Sequence, residues 1–114
     1  ASSQELQVDS LYISNRIFQA PSAGSISVAN YSGTSCLEIR QSDGGDYITR
    51  VYCYEGWIME LYSEEDYEFA LGDGEQIQQA EVLEFKEEGG LLTVELKTSE
   101  LQTTLYFALK GGSL

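Results

Sequence analysis

Histidine is absent from the 114 residues, and with it go the commonest general base and the commonest metal ligand. Histidine-based catalytic triads and zinc sites are excluded. Two cysteines, Cys36 and Cys53, cannot furnish a four-thiolate metal site, and composition leaves them as free buried thiols or as one disulfide. Basic side chains are scarce: 6 Lys and Arg stand against 19 Asp and Glu, a formal net charge of −13. Nucleic acid and anionic membrane surfaces call for clustered cations, so neither is an expected partner. No apolar run approaches the roughly 18 residues of a spanning helix, and no basic-then-apolar leader opens the chain, which sets the expectation of a soluble piece. Proline occurs once, at position 21.

What is present points to one folded unit. A hydrophobic fraction of 42% and an aromatic fraction of 11%, with eight tyrosines, are too rich for a disordered segment. The length bounds the chain to a single domain over 1–114. Residues 4–20, QELQVDSLYISNRIFQA, lack Gly and Pro and run up to Pro21, which predicts a helix ending there. Leu6, Ile13, Ile17 and Ala20 form one stripe on the helical wheel. Leu11 and Phe18 fall almost opposite, leaving either a second face for a partner or one wide core face.

From Ser25 the period changes to two, with turn signals every eight to twelve residues, which predicts antiparallel strands joined by hairpins through about residue 110. A two-residue turn at Ser32-Gly33 sets Val28 opposite Leu37 and Ile26 opposite Ile39. A turn at Gly44-Gly45 sets Leu37 opposite Tyr52, and one at Glu55-Gly56 sets Tyr52 opposite Met59. On these registers one face gathers Ile26, Val28, Leu37, Ile39, Ile48, Tyr52, Tyr54, Trp57, Met59 and Leu61, interrupted by Gln41 and Arg50. Gly89-Gly90 makes a further hairpin pairing Phe85 with Val94, and TTLYFALK returns beside it. The count is about seven strands with one apolar face, and the 4–20 helix is the available cover. The expected fold is therefore α+β, a helix packed on one face of an antiparallel sheet.

Carboxylates are the conspicuous chemical resource. Residues 55–88 hold 12 of the 19 acids with Lys86 as the one counter-charge. Asp73 and Glu75 are candidate calcium ligands, since hard cations take several oxygens, although the spacing does not fit the twelve-residue loop pattern and a solvated acidic loop is the simpler reading. Glu60, Glu84 and Glu95 lie on expected strands where a carboxylate pair could act, but each alternates outward, where glutamate is ordinary. The glycine pairs lack the context of phosphate cradles and serve as turns. Outward tyrosines such as Tyr62 and Tyr106 could furnish a sugar or protein contact, against a plain strand preference for aromatics. The Asn30-Tyr31-Ser32 sequon is explained by the turn it adjoins.

SLYISNRIFQA, DYITRVYCYEGWIMELY and EFKEEGGLLTVELKTSELQTTLYFALKGG together resemble a Firmicutes family whose members look like minor pseudopilins, akin to competence-pilus and type II secretion components. YCYEGWIMEL is the best-marked piece. The resemblance implies a non-enzymatic structural or assembly subunit at the extracellular face of the cell membrane. It would carry no catalytic residue or cofactor and would contact other pilin-like subunits through the N-terminal helix. The family's apolar anchor and cleavage motif are missing from this sequence, so membrane attachment would run through an anchor outside it. The alternative is a secreted ligand-binding module for carbohydrate or protein; a carboxylate-dependent hydrolase is the third reading.

The Gly44-Gly45 register also places Cys36 directly opposite Cys53 as a non-hydrogen-bonded pair, with Cα atoms about 4.5 Å apart. In an exported chain this sets the expectation of a cross-strand disulfide on the outer face, worth about 3 kcal/mol in the chain-entropy model. Two reduced thiols are the competing state.

Overall fold

The computed structural model describes residues 26–40, 46–99 and 102–109. Eight strands follow one another: β1 Ile26–Tyr31, β2 Thr34–Arg40, β3 Tyr47–Tyr54, β4 Trp57–Glu64, β5 Glu75–Gln79, β6 Val82–Glu88, β7 Leu91–Lys97 and β8 Gln102–Ala108. They form two antiparallel sheets, one of five strands in the order β1-β2-β3-β4-β5 and one of three in the order β6-β7-β8.

This corrects the expected α+β arrangement of a helix laid on a seven-stranded sheet. Among the described residues the only helical piece is a 3-10 turn at Leu71–Asp73, and the apolar face of the large sheet is covered by the small sheet. The 4–20 segment expected as a helix lies outside the described residues.

Three tight turns behave as their sequences dictate. Ser32 and Gly33, Glu55 and Gly56, and Gly89 and Gly90 all have positive φ, from 51° to 85°. That is the signature of two-residue turns whose twist matches the flanking strands. The expected pairs Ile26 with Ile39, Tyr52 with Met59, and Phe85 with Val94 are all present.

The β2–β3 pairing departs from expectation by one residue. Leu37 lies opposite Val51 and Glu38 opposite Arg50. Because side chains alternate with a period of two, a one-residue slip turns β3 and β4 over relative to β1 and β2. The single apolar face read from the sequence therefore becomes two. Ile26, Val28, Leu37 and Ile39 join Val51, Cys53 and Ile58 in facing the small sheet, where they meet Leu83, Phe85, Leu92, Val94 and Leu96. Tyr52, Met59 and Cys36 are buried on the opposite face, against Tyr31, Tyr54, Trp57, Leu61, Phe69 and Leu71.

The cover on that second face is the segment 65–74, expected as a solvated acidic loop. Its carboxylates do point to solvent, but Phe69 and Leu71 turn inward. Glu75–Gln79, within the stretch expected to be irregular, is a strand paired with β4 through a bulge at Ile58/Met59.

Candidate functional site

The most concentrated polar chemistry lies beneath the 65–74 segment. Glu38 on β2 and Arg50 on β3 are directly opposite in register and share the face of Tyr52. Both are buried, at 7% and 3% exposure. A charge so placed must be paired, and Arg50 Nε donates to Glu38 Oε2 at 3.1 Å. Tyr31, at the end of β1, donates its hydroxyl to the same carboxylate oxygen.

The guanidinium is used further. Nη1 donates to Ser63 Oγ at 3.3 Å and Nη2 to the Glu65 carbonyl at 2.9 Å, which ties the start of the covering segment to the sheet. Phe69 closes the top, its ring centroid 4.5 Å from Arg50 Cζ and 5.1 Å from the Tyr31 ring in an edge-to-face contact. Burial opposes the Arg50 charge, but the hydrogen bonds to Tyr31 and Glu38 outweigh it and hold the guanidinium above its usual range. Burial, reinforced by the Glu38 carboxylate, pushes the Tyr31 phenol up. Every donor described is spent on a protein acceptor, so the arrangement is chemically a clamp.

Beside it, Tyr52 donates to the Leu71 carbonyl at 2.7 Å. At the surface Arg40 Nη2 meets Glu65 Oε2 at 2.5 Å, a contact that holds the Glu65 carboxyl below its usual range.

The cysteines do not meet. Both thiols are free. The register that pairs Glu38 with Arg50 sends Cys36 to the face of the covering segment and Cys53 to the face of the small sheet, where its thiol lies 3.5 Å from the Ala80 carbonyl oxygen. The expected Cys36–Cys53 disulfide is thus corrected by the slip itself. Burial pushes the Cys36 thiol up to about 12 and raises Cys53 as well, so neither is poised as a thiolate.

The candidate calcium ligands also have other employment. Asp73 Oδ2 accepts from the Ala70 N–H at 3.0 Å and from the Tyr67 hydroxyl at 3.4 Å, closing the 3-10 turn. Glu75 opens β5 opposite Glu60. No group of three or more acidic or cysteine side chains able to hold a metal occurs among the described residues. Of the candidate catalytic carboxylates, Glu84 and Glu95 sit across from each other on the exposed face of the small sheet, while Glu60 belongs to the large one and shares the face of Val51.

At the far end of β3 and β4 a second feature stands open. Tyr47 and Tyr62 stack, with centroids 5.2 Å apart and planes 22° from parallel. With Tyr67, Leu61, Ser63, Glu64 and Asp73 they line a recess of about 520 Å³.

Residues 4–99 match the family model of a domain of unknown function, DUF4860. The chain belongs to the DUF4860 family. No curated protein and no solved structure matches it. The DUF4860 match takes in Tyr31, Glu38, Arg50 and Phe69 together with the tyrosine recess, and it stops short of β8.

The sequence held one signal for the clamp. Arg50 was the charged interruption in an otherwise apolar face, and a buried arginine requires an acid across from it. Among the β2 residues Glu38 is the acid, and only the slipped register supplies it.

Proposed function

We propose that this DUF4860 domain is a non-enzymatic structural or assembly subunit of a cell-surface, pseudopilus-like secretion or competence apparatus, engaging other pilin-like subunits through its 4–20 segment. The observation that carries this reading is the employment of the motif behind the resemblance. YCYEGWIMEL is the β3-turn-β4 hairpin, in which Tyr52, Ile58 and Met59 are fully packed. Its neighbour Arg50 is locked into the internal clamp. The part of the chain that best carries the resemblance therefore builds a rigid body, as a subunit needs. The match over 4–99 further supports treating the N-terminal segment and the hairpins as one inherited unit.

The test uses the full-length gene in its host. A photo-crosslinking residue at Ile13 or Ile17 should yield adducts with pilin-like subunits, and deletion should abolish assembly of the surface structure. A mature protein released freely by an ordinary signal peptide, with no such adducts, would overturn the reading. That outcome would favour the alternative, a secreted module binding carbohydrate or protein, for which the exposed tyrosines are the specific support.

A further inference from the structure

We propose that the Tyr47-Tyr62-Tyr67 recess receives an arginine side chain presented by a basic segment of a partner protein. This does not depend on the subunit reading above.

Three observations converge on it. The first is exposure: Tyr47, Tyr62 and Tyr67 are 42%, 57% and 48% accessible and stand around a single recess. The other described aromatic rings pack into the two apolar clusters, except Tyr106, which is exposed on the small sheet. Tyrosine contributes a large, rigid contact at small entropic cost and is enriched among residues that dominate interfaces.

The second is charge. Among the described residues the recess is lined by the carboxylates of Glu64 and Asp73 and by no Lys or Arg. Arg40, Arg50 and Lys97 are each engaged with an acid of this chain. The whole chain carries −13. A second copy would be repelled, whereas a cation would be drawn in.

The third is shape. Tyr47 and Tyr62 stack on one another, so each retains an outer face, and a planar guanidinium both stacks on such a face and pairs with a carboxylate. β5 pairs with β4 only as far as Glu60, so among the described residues the last part of β4 borders the recess and no further strand. An extended segment thus has room to lie there.

The experiment titrates the 114-residue chain, its tyrosine rings observed by NMR, with the blocked peptide acetyl-Gly-Arg-Gly-Arg-Gly-amide. Acetyl-Gly-Gln-Gly-Gln-Gly-amide and cellotetraose serve as comparators. The arginine peptide should shift the Tyr47, Tyr62 and Tyr67 ring signals saturably, and its affinity should fall with added salt. Tyr62→Ala should weaken it about two- to fivefold, the range of an exposed cation-π contact. Tyr67→Ala, in the covering segment, should do the same if the Tyr62 variant proves unstable. Glu64→Gln should also weaken it, while Tyr106→Ala should leave it unchanged. Equal shifts from the glutamine peptide, no saturation, or cellotetraose occupying these rings in place of the arginine peptide would each overturn the proposal.

Discussion

Arg50 holds its charge inside the protein because three different elements bring it an acceptor: β2 through Glu38, β4 through Ser63, and the covering segment through the Glu65 carbonyl. Removing one member of such a pair strands the other without water. Arg50→Ala or Glu38→Ala should therefore each cost about 3–5 kcal/mol in denaturant unfolding, while replacing both with leucine or methionine should cost far less than either alone. Additive single effects would show that the two side chains act independently. The clamp was only half legible in the sequence. Arg50 stood out, but Cys36-Leu37 and Val51-Tyr52 place apolar groups on both faces of their strands, so hydrophobic alternation could not select between two registers one residue apart.

The buried hydroxyl and thiol groups set an alkaline limit. Cys36 keeps its proton in the folded state up to about 12 against an ordinary value of 9.0, and burial also raises Cys53, Tyr31 and Tyr52. Above pH 9 the unfolded chain releases protons that the folded chain retains. Stability from these groups is complete below that pH and declines as the pH climbs toward 12. Unfolding free energies measured along this range should fall, and Cys36→Ala should flatten the slope. A slope unchanged by that substitution would remove Cys36 from the account.

At the level of elements, glycine-bearing turns announced three hairpins, and their registers were readable because a two-residue turn fixes the pairing. β5 was hidden for the opposite reason. EQIQQ has one apolar residue, follows Gly72 and Gly74, and lies in an acidic stretch, so its strand character comes from pairing with β4. In the covering segment the charge of the carboxylates masks the apolar Phe69 and Leu71, which pack against the sheet. The descent of this segment onto the sheet depends on Gly74. A Cβ there would lie 2.6 Å from the Tyr52 hydroxyl and 3.3 Å from both the Glu60 carbonyl oxygen and Met59 Cβ. Tyr52 is fully buried and bonded to Leu71, so it cannot swing aside. Gly74→Ala should cost about 1–3 kcal/mol by overpacking. Gly72→Ala, whose Cβ would meet the Tyr54 ring at an ordinary 3.5 Å, should be nearly neutral. Matching thermal midpoints for the two variants would contradict this seating of the segment.

On the scale of the whole molecule, the sequence revealed seven of the eight described strands but not their division into layers. Merging the two apolar faces of the large sheet into one made a single sheet with a helical lid look sufficient. The small sheet is instead the second layer, and each sheet completes the core of the other. Such stacking leaves margins. Among the described residues β8 is bonded to β7 on one side and is the outermost strand of its sheet. Its sequence, QTTLYFA, holds no charge and no proline. A strand of that composition is a template for unwanted fibrillar stacking, and in this protein the guard against it is colloidal: copies bearing −13 keep their distance. The guard vanishes near the isoelectric point of about 4.1. Light scattering and thioflavin fluorescence should rise there, and Thr104→Lys, on the exposed face of β8, should delay the onset without altering the thermal midpoint at neutral pH. The same acidity that lines the tyrosine recess is then what keeps β8 solitary.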